Sequence, residues 1–266
     1  EIMGEYTEGT DRLHMAYSFA MLGPDFNAEH FRNCIEGFQV GAPEGHPKWS
    51  FSNHDVPRHV TRWLPHAVSE DAIARQACAM LMGFEGTIGI YQGEELGQTE
   101  TDLVFEELTD PPAIRYWPAV KGRDGCRTPM VWEKDAPNAG FSTGKPWLPV
   151  KAPQAAKAVD QQGTGSILAF YKDMIALRKN TQALRLGKTK FHNLPEPILA
   201  FTRQHGEQSI TCVYNLSKVP AKLAMSGEAS IIGHHNADLK KSELTLPANG
   251  YVMLSHSAAL DLKWVG

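Results

Sequence analysis

Apolar and polar positions along the chain alternate between two periods, and this sets out an order of elements. Residues 13–22 form a mostly apolar run with aromatics, the pattern of a buried strand. Residues 28–38 then place Phe31, Ile35 and Phe38 at helical spacing. Pro43, Gly45 and Pro47 make a turn, and residues 49–53 read as a second short strand. Ser69 is placed to cap a helix, with Glu70 and Asp71 in the first turn where acidic groups suit the helix dipole. That helix carries Ile73, Ala77, Met80, Leu81 and Phe84 on one face and stops at Gly86. Residues 87–91 give a third strand. Strands that alternate with helices argue for a parallel sheet with helical crossovers.

The pattern then changes twice. Residues 92–165 are rich in Pro and Gly and show no period, which marks a functional or disordered loop. Residues 166–184 read as one amphipathic helix with Leu168, Tyr171, Ile175 and Leu177 along one side. Beyond Arg185 the period becomes that of strands, over 198–203, 210–215, 228–232, 244–246 and 251–255. Turns fall at His205-Gly206-Glu207 and Asn249-Gly250. Short strands in series predict a small antiparallel β domain. The expected organisation is an α/β unit over residues 1–184 and an antiparallel β domain over 185–266.

Composition narrows the class without choosing a function. The chain has 266 residues, of which 42% are hydrophobic and 21% charged, ordinary for a globular protein. A net charge of -4 with no basic stripe gives no reason to expect nucleic acid. The longest apolar stretch, residues 77–84, is too short to span a bilayer, so no membrane is expected. Four scattered cysteines, with no ligand spacing, fit a reducing compartment such as the cytoplasm. The first residue is Glu1, and further sequence is expected upstream of it.

Chemistry concentrates at Phe51-Ser52-Asn53-His54-Asp55, followed by Val56-Pro57-Arg58. Adjacent side chains of a strand point to opposite faces, so His54 and Asp55 share a pocket only where the chain is leaving the strand. In a β/α barrel that place is the C-terminal rim, where active sites are built. A carboxylate accepts from one hydroxyl pair while an imidazole donates to another, a set that suits vicinal sugar hydroxyls. The plain alternative is a turn-capping aspartate beside a surface histidine.

The motif resembles the fourth signature region of the α-amylase superfamily, glycoside hydrolase family thirteen, where F-x-N-H-D closes the seventh barrel strand. Gly89 to Gly97 (G-I-Y-Q-G-E-E-L-G) resembles the eighth strand and its exit in the α-glucosidase branch. Asp110-Pro111-Pro112, the run Gly122-Arg123-Asp124-Gly125-Cys126-Arg127-Thr128-Pro129-Met130, and Trp132 resemble the long loop that follows it. The implied fold is the C-terminal portion of a (β/α)8 TIM barrel, about strands six to eight, and then a small antiparallel β-sandwich domain.

The resemblance also implies roles. Asp55 matches the carboxylate that binds and distorts the reacting glucose, and His54 the histidine that stabilises the transition state beside it. Phe19 would offer an aromatic wall to the sugar, or else be ordinary core. Arg58 would pair with a site carboxylate and hold it ionised. Arg123 and Glu100 are candidates for the leaving-group sugar pocket, with a plain solvated charge the simpler reading of Glu100. Glu94 and Glu95 would order the strand-eight exit. His234-His235 reads as a polar turn, and no metal is expected from it. No cofactor is implied in this segment, though calcium is bound far upstream in some members.

A retaining glycosidase needs two carboxyl groups about 5 Å apart. The resemblance places both before the histidine-aspartate motif, on the fourth and fifth strands. Met3-Gly4-Glu5 mimics the acid/base region, but Tyr6 to Met15 resembles the link into strand six, which comes after it. The expectation is that these residues do not act alone. They work with the N-terminal part of the barrel, in the same polypeptide or as a second chain. The expected activity is hydrolysis, and transfer, of terminal α-linked glucose from short oligosaccharides. The rivals are a sucrose-, isomaltose- or trehalose-phosphate-active relative, and a non-catalytic amylase-like protein that binds carbohydrate or serves a transporter.

Overall fold

Three short parallel strands lie at the centre of the first half of the computed structural model, which describes residues 1–265. They are β1 (Ala16–Tyr17), β2 (Pro47–Trp49) and β3 (Thr87–Ile88), in that spatial order, with Ala16 opposite Pro47 and Trp49 opposite Ile88. Helix α1 (Ile2–Thr7) precedes them, α2 (Ala28–Gly41) joins β1 to β2, and α3 (His59–Trp63) and α4 (Glu70–Gly83) join β2 to β3. Both long crossover helices carry a side-chain cap, at Ser69 as expected and at Asn27, which the apolar spacing did not single out. Asn27 accepts from the His30 N–H at 2.7 Å, and Ser69 accepts from the Ala72 N–H at 3.1 Å. Phe31, Ile35 and Phe38 are buried on α2. From Ala72 to Gly83 every residue of α4 except Arg75 is buried, because this helix has neighbours all round.

The strands are shorter than their apolar runs. Of residues 13–22 only Ala16 and Tyr17 pair. Leu13, Met15 and Phe19 are exposed, and the chain turns after Phe19, where the Leu22 N–H donates to its carbonyl. Ser50, Phe51 and Ser52 stay buried beyond the end of β2. β3 ends at Ile88, and Tyr91 opens a turn in which its carbonyl accepts from the Glu94 N–H. A strand reads as apolar in sequence when it is buried, whether or not its backbone continues the ladder.

Residues 92–165 are not a formless loop. They contain α5 (Pro111–Tyr116), α6 (Ala152–Ala155) and several 3-10 turns. Leu96, Val131, Ala139 and Ala158 form a small core of their own. The single helix expected over 166–184 is divided into α7 (Ile167–Asn180) and α8 (Gln182–Leu186). Thr181 breaks it with an extended backbone, φ -113 and ψ 105, and its hydroxyl donates back to the Leu177 carbonyl.

The second half is a sandwich of two antiparallel sheets. One runs β4 (Lys188–Phe191), β5 (Ile198–His205), β6 (Gln208–Asn215), β11 (Tyr251–His256), β8 (Ser230–His235). The other runs β12 (Asp261–Trp264), β7 (Ala221–Ser226), β10 (Glu243–Leu246), β9 (Asp238–Lys240). Ala200, Val213, Leu223, Leu246, Val252 and Leu254 fill the space between them. His234 and His235 belong to β8, so the polar turn expected there is a strand. Pairing with β11 reaches past residue 232, where the apolar pattern stops.

Alternation along β5, β6 and β11 gives the five-stranded sheet a second apolar face. Leu199, Phe201, Cys212, Tyr214, Tyr251 and Met253 on that face belong to the same core as α2, α4 and α7. Tyr214, fully buried, donates its hydroxyl to the Ala79 carbonyl on α4 at 3.0 Å. Two arginines, Arg203 buried and Arg178 half-buried, finish the junction. Arg178 donates to the carbonyls of Met82, Phe84 and Gly86, and Arg203 to those of Gly83 and Gly187. They satisfy and neutralise the C-terminal end of α4. Among the described residues no helix is long and apolar enough to cross a membrane.

Candidate functional site

The site grows out of the way the chain leaves β2. The Asn53 side chain accepts from the Asp55 N–H at 2.8 Å, a local turn that breaks the extended run. His54 and Asp55 then emerge side by side, 67% and 41% exposed, with His54 Nε2 3.3 Å from Asp55 Oδ2. The other oxygen, Oδ1, accepts from Arg123 at 3.1 Å and from Arg127 at 3.2 Å. Arg127 also donates its Nε to the His54 carbonyl at 2.7 Å, so it grips both residues of the pair. Partial burial pushes the Asp55 carboxyl up. The Arg123 hydrogen bond and the charges of His54, Arg123 and Arg127 outweigh it and hold the group below the usual range.

Arg123 is itself fixed from behind. Asp110 accepts from its backbone N–H at 2.8 Å, and from its guanidinium at 3.1 Å and 2.7 Å. That fork holds Asp110 below the ordinary carboxylate range and raises the arginine further. Asp110 is placed in turn by the buried Asp124, which accepts from the backbone N–H groups of Thr109 and Asp110 at 2.6 Å and 2.8 Å. The segment after β3 therefore folds back over the end of β2 and delivers charge to Asp55.

Behind this surface lies a buried polar layer. Arg58 was expected to pair with a site carboxylate, but among the described residues its guanidinium forms no ion pair. Its guanidinium donates to the carbonyls of Gln92 at 2.7 Å and Cys126 at 3.1 Å, and stacks over the Tyr91 ring. It ties β3's exit to the 122–130 run. Glu100 is not a solvated charge. It accepts from the Arg58 N–H at the start of α3 at 2.9 Å, and burial raises its carboxyl. Glu94, fully buried, accepts from the Tyr171 hydroxyl at 3.1 Å and from the Tyr91 N–H at 3.3 Å. Burial pushes its carboxyl up to about 7. His59 hydrogen-bonds the Ser52 hydroxyl at 3.0 Å and is held neutral, near 3, by burial.

Of the residues expected from sequence, the structure brings His54, Asp55 and Arg123 into one constellation. Phe19 is 64% exposed and leans on Tyr17, so it is not core. Arg58 and Glu100 lie in the supporting layer. Glu5 sits exposed in α1, not at a strand end. Two residues had no expected role: Arg127, which touches both members of the pair, and Asp110, which anchors Arg123. The one sequence signal for Arg127 is its place four residues after Arg123 in the same run. Among the described residues no three His, Cys, Asp or Glu side chains cluster as a metal site.

Residues 5–187 match the family described as "Alpha amylase, catalytic domain". A probable alpha-glucosidase of Rhizobium meliloti (strain 1021) is 42% identical over 256 residues, covering 94% of this chain and 46% of its own. An oligo-1,6-glucosidase of Heyndrickxia coagulans is 30% identical over 258 residues, covering 82% of this chain and 46% of its own. Among solved structures, the alpha-glucosyl transfer enzyme XgtA aligns with a TM-score of 0.87 at 42% identity, over 96% of this chain and 48% of that one. Bacillus licheniformis trehalose-6-phosphate hydrolase aligns with a TM-score of 0.84 at 20% identity, over 98% and 54%, a likeness of fold alone. The chain spans about half the length of these relatives. The three parallel strands, the crossover helices, the β domain and the matched segment together identify the chain as a member of the α-amylase family, with that family's TIM barrel and β-domain fold.

Proposed function

We propose that residues 1–265 form the sugar-gripping rim of a retaining α-glucosidase. It hydrolyses terminal α-linked glucose from short oligosaccharides and, given an acceptor, transfers it. In this reading β1, β2 and β3 are the sixth, seventh and eighth barrel strands. The nucleophile and acid/base come from the earlier strands, outside these residues, in the same polypeptide or on a second chain. The observation that carries the proposal is the Asp55 carboxylate, adjacent to His54 and kept charged by two arginines at the end of a parallel strand.

That arrangement suits a transition state with oxocarbenium character. Asp55 Oδ1 is occupied by the arginines, while Oδ2 is turned towards His54. A glucose hydroxyl entering beside Oδ2 donates to a group already ionised and oriented, so the bond tightens as positive charge builds on the ring. His54 donates to a neighbouring sugar oxygen. The packed segment over 92–165 stands beside this pocket and favours short substrates over polymers. Free thiols at Cys34, Cys78, Cys126 and Cys212 support a reducing compartment, and the cytoplasm is proposed on that ground.

The test is glucose release by the polypeptide that carries these residues, measured side by side on maltose, isomaltose and sucrose. Asp55→Asn should lower kcat/KM by about a hundredfold or more without changing the far-UV circular dichroism. The first-formed glucose should be the α anomer by proton NMR, since two displacements preserve configuration. An Asp55→Asn enzyme within about threefold of wild type would leave fold kinship only. Preference for α-1,6 linkages is the second reading, favoured by the relatives named oligo-1,6-glucosidases. Isomaltose outrunning maltose would select it.

A further inference from the structure

Far from the rim, a cavity of about 680 Å³ opens where β4, the β5–β6 hairpin and the segment after β11 meet. Its position follows from strand pairing. Lys188 stands opposite Gln204 and Lys190 opposite Thr202, so these side chains share the inner face of the five-stranded sheet. Thr202 is in turn opposite Thr211 on β6. Among the described residues no carboxylate lines the cavity, although the chain as a whole carries a net charge of -4. Lys188 is drawn to Glu85 at 3.4 Å, but no carboxylate among the described residues lies within ion-pair distance of Lys190.

One wall is a chain of hydrogen bonds whose direction, for a neutral His256, follows from its end. The Ala258 carbonyl can only accept, so the His256 Nδ1 that contacts it at 2.8 Å carries the proton. His256 Nε2 then accepts from the Thr211 hydroxyl at 2.8 Å, and Thr211 accepts from Thr202 at 2.7 Å. Thr202 accepts from His192 Nε2 at 2.8 Å. Every hydrogen in the chain is committed inward. His192 Nδ1 makes no hydrogen bond among the described residues and is open to a further proton. Two histidines and an unpaired lysine therefore crowd one cavity with hydroxyls between them, and none of these residues belongs to the glucosidase site.

We propose that this cavity binds a phosphate-like oxyanion, free or carried on a sugar, with Lys190 and His192 as its charged donors. An oxyanion supplies the countercharge that the lining lacks, and charge-assisted hydrogen bonds make such contacts strong. The same geometry couples binding to protons. Besides the anion, His192 faces His256 and Lys190, with Asp261 and the Arg32 guanidinium close by. Burial and the first two charges keep it deprotonated more readily than a free histidine. A bound anion favours the imidazolium, so affinity rises as pH falls through the histidine range.

Titration calorimetry of the intact protein tests this. Inorganic phosphate, glucose 6-phosphate, glucose and chloride at matched ionic strength are the probes, and sulfate, whose charge is constant, is the probe for pH. Chloride should not bind, and any glucose heat belongs to the rim at Asp55 and should be unchanged by Lys190→Ala. Phosphate and glucose 6-phosphate should bind. Equal affinity for the two identifies a free-oxyanion site, and tighter glucose 6-phosphate identifies a sugar-phosphate site. Sulfate should bind about tenfold more tightly at about pH 5.5 than at about pH 8. Lys190→Ala should weaken phosphate about tenfold, and His192→Gln should flatten the pH dependence of sulfate. Lys190 is exposed, so its variant reads the site even if His192→Gln fails to fold. Phosphate heats no larger than those of chloride, or affinity unchanged by Lys190→Ala, would overturn the proposal.

Discussion

Gly83 sits in the last turn of α4, facing the five-stranded sheet, and replacing it with alanine sets two effects against each other. Alanine gains about 1 kcal/mol over glycine within a helix. The added methyl, however, would lie 2.5 Å from the Tyr214 hydroxyl and 3.2 Å from Phe201 Cζ. Tyr214 cannot swing aside, because its ring is stacked between Phe201 at 5.9 Å and Tyr251 at 6.1 Å. Relieving the clash means breaking the bond from the Tyr214 hydroxyl to the Ala79 carbonyl. Overpacking costs about 1–3 kcal/mol and the stranded buried hydroxyl about 1–3 more. The net expectation is a destabilisation of about 1–5 kcal/mol, centred near 3, which lowers the melting temperature by about 6–12 °C at the centre. Urea unfolding of the intact protein measures it, with Gly83→Ala/Tyr214→Phe as the control that removes the clashing oxygen and recovers much of the loss. A Gly83→Ala protein as stable as wild type would refute the reasoning, because helix propensity would then have won.

Glu94 carries a pH dependence of defined sign. Its folded value near 7 stands above the ordinary 4.5, so its contribution is fully present below about 4.5 and is lost as pH rises through 7. The loss is at most about 3 kcal/mol, and Glu94→Gln should flatten melting temperature against pH over that window; an unchanged slope would count against the assignment. Arg127→Ala should move the acid limb of kcat/KM to higher pH, since Asp55 is held below its usual range partly by that charge. An acid limb that stays in place would show that Asp55 titrates independently of Arg127.

Much of this molecule is legible in its sequence, and the exceptions share a cause. The helix start at Ser69 is local chemistry, and the β-strand alternation of 198–215 is a local period. The extents of β1, β2 and β3 are not local. Backbone pairing depends on what lies alongside, so the apolar run over 13–22 yields only two paired residues. Asp55 and His54 were visible as neighbours in a motif. Arg127 and Asp110, 72 and 55 residues away by number, join them only through the folding of the long segment, a path that no period announces. Arg58 shows the opposite failure. Its place so close to Asp55 suggested pairing with a site carboxylate, but its backbone caps the start of α3 while its guanidinium turns to carbonyls on another loop.

The five-stranded sheet has a consequence for how this protein changes through descent. One of its faces closes the sandwich, and the other is built into the packing of α2, α4 and α7. Recombination near residue 185 would therefore mate two half-surfaces with separate histories. The rings of Phe201, Tyr214 and Tyr251 would meet a helix that had not varied alongside them. The β domain and the last crossover helices are thus one heritable block, and variation in either is constrained by the other.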